Sequence, residues 1–198
     1  MLQDKLALFP THIYRFVNPT AAADHAAWRQ AIYRLRDTDR GRALSNRLGW
    51  QSSVPFHTVP ELAGLGRFIF KCLEEFGRIE GWQLDRYGFI LDAWVNINGK
   101  GASNTAHNHP NCLLSGSYYL DTPPGCGDIL FRDPREVAYV YQPPYADGRS
   151  RTPDTAIKPD PGLLLLFPPW LLHWVEPNDS DSDRISVAFN VGIGVRGG

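Results

Sequence analysis

Sulfur is scarce in this 198-residue chain, which has three cysteines (Cys72, Cys112 and Cys126) and one methionine. The cysteines share no short paired spacing, which argues against a zinc knuckle or a disulfide scaffold. Cys112 and Cys126 fall in β-rich sequence and Cys72 in a helical pattern, so all three read as buried, reduced thiols of a cytoplasmic protein. An excess of charge is lacking too: 20 Lys and Arg against 21 Asp and Glu leave a formal net charge of −1. That balance argues against a nucleic-acid partner held by phosphate neutralisation. The clusters Arg34-Leu35-Arg36 and Arg40-Gly41-Arg42 alternate with Asp37 and Asp39 and read as a solvated helix end. No apolar run is long enough for a membrane span and none resembles a signal peptide, so no membrane partner is expected. Repeats and low-complexity tracts are missing as well.

What is present suffices for one good core, with 43% of residues hydrophobic, and a single domain over residues 1–198 is expected. Residues 1–80 look like a helical flank. Asn18 can cap a helix that accepts Pro19 in its first turn, with Trp28, Ile32 and Leu35 on one face. Thr58-Val59-Pro60-Glu61 reads as a capping box ahead of Leu62, Leu65, Ile69, Leu73 and Phe76 at helical spacing. From residue 81 the period changes to two. Phe89, Leu91, Ala93, Val95 and Ile97 alternate with Asp92, Trp94 and Asn96, and Asn98-Gly99 closes the run in a turn. Further strands are expected at Cys112–Leu120, Asp128–Phe131, Val137–Tyr141, Leu163–Phe167, Leu171–Val175 and Ile185–Ile193, with a surface loop at Pro143–Pro153. Many short strands after helices, without strand–helix alternation, predict a mainly β fold built as a two-sheet jelly roll or barrel.

Chemistry concentrates in three histidines. His107 and His109 lie two residues apart, a spacing that on a strand points both rings to one face. The pair is expected where the chain enters the Cys112–Leu120 strand. His173 sits in the apolar segment Trp170-Leu171-Leu172-His173-Trp174-Val175, where a buried imidazole needs a partner, either a backbone carbonyl or a metal. Three imidazoles suit Fe(II), Zn(II), Cu(II) or Ni(II) alike. In Arg184-Ile185-Ser186-Val187-Ala188-Phe189-Asn190, alternation puts Arg184 and Ser186 on one face, a bidentate clamp for a carboxylate. Alternatively, Arg184 forms a surface salt bridge with Asp181 or Asp183. Trp94, Trp170 and Trp174 are expected to pack the barrel.

A string of these motifs resembles the 2-oxoglutarate/Fe(II)-dependent oxygenases of bacteria and phages. It comprises His107-x-His109-Pro110, Leu114-Ser115-Gly116-x-Tyr118-Tyr119, Phe131-Arg132-Asp133-Pro134-Arg135, Phe167-Pro168-x-Trp170-Leu171-x-His173 and Arg184-Ile185-Ser186-Val187-Ala188-Phe189-Asn190. Asn46 with Gly49-Trp50-Gln51-Ser52 fits the N-terminal part of the family. The resemblance implies a double-stranded β-helix, cupin-like, with N-terminal flanking helices and Fe(II) in its mouth. It implies His107 and His173 as metal ligands, and Arg184 and Ser186 as holders of the distal carboxylate of the co-substrate 2-oxoglutarate. It implies further a hydroxylase that uses O2 on a small molecule, amino acid or peptide side chain, releasing succinate and CO2. The wider superfamily places a carboxylate two residues after the first histidine; here that place is His109. With one negative charge fewer, the ion would keep its formal charge until the dianionic co-substrate binds. Either His109 ligates, or a water or a carboxylate such as Asp128 takes its place. Arg135 and Gln51 are candidate substrate contacts. Two other readings stand beside this one: a three-histidine metal enzyme that does not use 2-oxoglutarate (a zinc hydrolase or hydratase, or a cofactor-free dioxygenase), and a non-catalytic jelly-roll binding module.

Overall fold

The change of period near residue 81 coincides with the start of the main strands in the computed structural model, which describes residues 3–140, 142–148 and 152–195. The elements run β1 (Tyr14–Val17), α1 (Ala21–Thr38), β2 (Asn46–Arg47), β3 (Trp50–Gln51), α2 (Ala63–Ile79), β4 (Tyr87–Asn98), β5 (Ser103–His107), β6 (Leu114–Asp121), β7 (Ile129–Arg132), β8 (Asp154–Ile157), β9 (Leu163–Phe167), β10 (His173–Val175) and β11 (Arg184–Val195). Two antiparallel sheets form, ordered β1-β9-β6-β11-β4-β3 and β2-β5-β10-β7-β8. They make the double-stranded β-helix. Strand alternation divides the first sheet into two faces. Val95 and Ile97 of β4, Tyr118 and Leu120 of β6, Leu164 and Leu166 of β9, and Ile185 and Val187 of β11 pack against α1 and α2. Tyr119, Leu163, Leu165 and Phe167 point the other way, where they meet Ile129 and Phe131 of the second sheet. Each side chain has one place because a one-residue slip would exchange the two faces.

Both helices bury the stripe that the sequence indicates: Trp28 and Ile32 in α1, and Leu65, Ile69, Leu73 and Phe76 in α2. Arg29 of α1 ion-pairs with Asp121 of β6 and fixes the helix across the sheet. Gly116 faces the helical layer, where a Cβ would lie 2.3 Å from the Phe189 ring, so only glycine fits in Leu114-Ser115-Gly116. No helix among the described residues is long and apolar enough to cross a membrane.

Several local expectations change. Thr58 does not build a capping box; its hydroxyl donates to the Pro55 carbonyl and Pro60–Leu62 forms a 3-10 turn before α2. Asn18 sits ahead of the α1 cap, its Oδ1 accepting from the N–H and hydroxyl of Thr20. The segment expected as strand Val137–Tyr141 is a 3-10 turn over Glu136–Tyr139, and Tyr141 lies outside the described residues. Val137 and Val140 face outward and have no sheet face to fill. Three strands, β1 to β3, come from the part read as purely helical.

Candidate metal centre and active site

His107 closes β5 and His173 opens β10, and the two are direct partners across this antiparallel pair. Directly opposed residues carry their Cβ atoms ~4.5–5.5 Å apart, so the rings meet as a consequence of register. His109 lies beyond the end of β5 in a loop, not at the start of the next strand. It is pinned there by its own N–H, which donates to the Pro169 carbonyl at 2.8 Å. The three rings each offer one nitrogen, and those nitrogens all lie within 4.8 Å of one another. Among the described residues this is the group that could hold a metal ion, and it contains no carboxylate. Asp128, the candidate replacement, is elsewhere, lining a separate surface depression near Glu176.

Hydrogen bonding sets the imidazoles up as ligands. His107 Nδ1 lies 2.7 Å from the Thr105 carbonyl and His173 Nδ1 lies 2.9 Å from the Leu171 carbonyl. A carbonyl can only accept, so both Nδ1 atoms carry the proton and both Nε2 lone pairs face the cluster. His109 Nε2 stands 3.3 Å from His173 Nε2. These three residues would together hold a metal ion.

Burial favours the neutral, ligating form throughout. Desolvation, reinforced by the other imidazoles, lowers His109 to about 4 and His173 to about 3. His107 is lowered as well, by desolvation first. The sign follows directly: a base whose folded pKa is depressed keeps its lone pair until the pH falls through that lower value. An ordinary histidine site loses metal as the pH drops through ~6.5. This one is expected to keep a divalent ion to lower pH than that, because burial lowers the pKa of all three rings. Calorimetric Ni(II) titration at a series of pH values checks this; a loss centred on the ordinary histidine value would contradict it.

The cavity beside the cluster is lined by both sheets: Trp94 and Asn96 of β4, Ser117 and Tyr119 of β6, and Arg184, Ser186 and Ala188 of β11 face His107 and His173. Arg184 is 2% exposed. Its Nη1 donates to the carbonyls of Cys126 and Glu176, while its Nη2 is buried with no partner. The surface salt bridge does not form: Asp181 pairs with Lys100, and Asp183 with Tyr33 and Arg36. Burial lowers the Arg184 pKa, but guanidinium stays charged in proteins, so a cation without a counter-ion waits in the cavity. Such a group calls for an anion, and Ser186 beside it adds a hydroxyl.

Two other candidates part company. Gln51 is buried and lines a second cavity that shares Trp94, His107 and His109 with the first. Arg135 lines neither; it is exposed, bound to Asp133, and borders a depression with Thr11 and Tyr139. Among the tryptophans, Trp94 faces the site with its ring 6.1 Å from His109, Trp174 lies under Arg132, and Trp170 is exposed rather than packed. Asp92, Trp94 and Asn96 form the site face of β4, and their alternation with Ala93 and Val95 was the signal that could have marked them as lining residues.

Comparison with known proteins agrees with this geometry. Residues 92–190, half of the chain and inclusive of all three histidines, Arg184 and Ser186, match the model of the family described as "Putative 2OG-Fe(II) oxygenase". No curated protein matches the sequence significantly. Among solved structures, a Pseudomonas putida prolyl-4-hydroxylase is similar at 16% identity, with 92% of each chain covered and a TM-score of 0.58. HygX from Streptomyces hygroscopicus, solved with nickel, 2-oxoglutarate and hygromycin B bound, is 14% identical over 92% of this chain and 83% of its own, with a TM-score of 0.64. A Trichoplax adhaerens prolyl hydroxylase in complex with a hypoxia inducible factor peptide fragment is 13% identical over 91% and 83% of the two chains, with a TM-score of 0.60. At these identities the likeness is one of fold.

Proposed function

Since the chain belongs to the 2OG-Fe(II) oxygenase family, we propose that His107, His109 and His173 hold its catalytic iron and that Arg184 and Ser186 seat the distal carboxylate of 2-oxoglutarate. The protein is a 2-oxoglutarate/Fe(II)-dependent dioxygenase. When bound, iron and 2-oxoglutarate supply the oxidising chemistry, in which O2 is divided between succinate and the substrate and CO2 is released. The chain itself does the holding and shaping. His107 and His173 keep their Nε2 lone pairs aimed inward through the Thr105 and Leu171 carbonyls. Arg184, shielded among Tyr119, Ser186 and Phe167, gives the co-substrate one orientation and keeps water from its carboxylate. Gln51 contacts the substrate, a small molecule or peptide, from the cavity outside the histidines. Arg135, tied to Asp133 outside that cavity, would meet only a substrate that reaches beyond it. The whole chain acts as one domain. Its three unpaired thiols fit a cytoplasmic setting.

The observation that carries this reading is a buried guanidinium with an unpartnered nitrogen sharing one cavity with three converging neutral imidazoles. Neither a hydrolase nor a cofactor-free dioxygenase requires that cation. Succinate formed in step with O2 uptake, dependent on added Fe(II), is the expected result; metal-dependent turnover without succinate would contradict it. His109→Asp restores the carboxylate common in the superfamily. Iron affinity is expected to stay within about tenfold of the parent in this variant, whereas His109→Ala loses ~100-fold or more, because even outer partners of a ligand cost ~10–100-fold. Equal iron affinity in His109→Ala and the parent would remove His109 from the ligand set.

A further inference from the structure

We propose that the cavity outside the histidines recognises a zwitterion: a free α-amino acid, or a close analogue carrying both a carboxylate and a protonated amine. This deepens the oxygenase reading above and rests on it. The cavity measures about 330 Å³ and is lined by Arg42, Gln51, Asp92 and Asn190 together with His107 and His109. Pockets for small molecules run from ~300 to ~1,000 Å³, so this one suits a ligand at the small end. It offers one group of each charge. The Arg42 guanidinium lies 5.6 Å from the centre of the Trp94 ring, and neither it nor the Asp92 carboxylate has an ion-pair partner among the described residues. Equal and opposite charges in one small cavity favour a ligand with both signs and no net charge, and disfavour a purely anionic or cationic one.

Gln51 supplies the built part of the site. It is 2% exposed, and its Nε2 is buried without an acceptor, a state that a ligand oxygen would relieve. Its place is fixed from behind. The Asp39 carboxylate accepts from the N–H groups of Gly41, Ser53 and Val54, and Trp50 Nε1 donates to the Asp39 carbonyl at 2.9 Å. The N–H of Arg42 donates to the Gln51 carbonyl at 2.8 Å, so the cation and the amide belong to one braced unit. Together they form the carboxylate half. Asp92 stands apart on β4, facing Asn190 across the β4–β11 pair, and forms the ammonium half. Asn190 Oδ1 already accepts the Ser115 hydroxyl, which leaves its amide nitrogen to donate to a ligand oxygen, while Asp92 alone accepts from the ammonium. A zwitterion held by its two charges would turn its side chain toward the histidines that share the cavity wall.

The test uses protein loaded anaerobically with Fe(II) and 2-oxoglutarate, and reads common amino acids by calorimetry and, after O2 is admitted, by succinate formation. At least one free amino acid is expected to bind and to stimulate turnover. Its N-acetyl and its carboxamide derivatives should each be poorer by about tenfold or more in kcat/KM, the cost of leaving one charge unmatched. Asp92→Asn should abolish the discrimination against the N-acetyl form alone, and Arg42→Gln that against the carboxamide alone. The proposal is overturned if protein that takes up Fe(II) and 2-oxoglutarate binds no amino acid, or binds the derivatives as well as the parent compound. Failure to take up Fe(II) and 2-oxoglutarate at all overturns the oxygenase site and this proposal with it.

Discussion

Arg184→Met is expected to raise the 2-oxoglutarate requirement by at least ~30-fold while leaving Fe(II) affinity unchanged, because truncating one partner of a buried charge pair costs ~2–5 kcal/mol. The free protein should register little. Losing the guanidinium strands the Cys126 and Glu176 carbonyls, which is destabilising, but it also removes a buried cation that lacks a counter-ion. The two effects oppose each other, and a thermal stability within ~1 kcal/mol of the parent is expected, since methionine fills a similar volume. The split between lost co-substrate affinity and retained fold distinguishes a binding role from a structural one. If this variant used 2-oxoglutarate as the parent does, the carboxylate clamp would be wrong.

The second large effect concerns His173→Ala. Outer partners of a metal ligand are worth ~10–100-fold in affinity, so removing the ligand itself should weaken Fe(II) binding by more than ~100-fold and abolish turnover. His173 is 4% exposed and packs at 4.8 Å from the Phe167 ring and 5.9 Å from Phe131. Its loss therefore also removes packing, at a cost within the ~0.5–3 kcal/mol usual for a point substitution. Circular dichroism and a melting curve of the metal-free variant separate the two consequences. Intact secondary structure with no Fe(II) binding is the expected pair of results. A folded His173→Ala protein that binds Fe(II) like the parent would remove this ring from the centre.

Much of this was legible in the sequence, and the limits are physical. Strand β11 was readable because Ile185, Val187 and Phe189 alternate with Arg184, Ser186 and Ala188, and a buried sheet face leaves such a pattern little freedom. The same alternation marked β4, although Trp94 reads equally well as packing until the second sheet is seen to lie across from it. Strand β5, Ser-Asn-Thr-Ala-His, escaped notice because it carries almost no apolar signal; it is a strand because β2 and β10 flank it and satisfy its backbone. That omission also misplaced the His-x-His pair by one element. Arg42 reads as part of a solvated charge run and is indeed exposed, but nothing local says that the chain returns through Trp50 and Gln51 to set its guanidinium near Trp94. Long-range pairing supplies that information, and sequence spacing does not contain it.

The central claim is that a metal centre without a carboxylate of its own sits between β5 and β10, with its negative charge delivered by the co-substrate. An anaerobic crystal structure with Fe(II) and 2-oxoglutarate tests it most directly. The account predicts the Nε2 atoms of His107, His109 and His173 bonded to one ion, no Asp or Glu among the ligands, and the distal carboxylate against Arg184 and Ser186. An ion held by two histidines and an aspartate, or a co-substrate carboxylate lying away from Arg184, would contradict it.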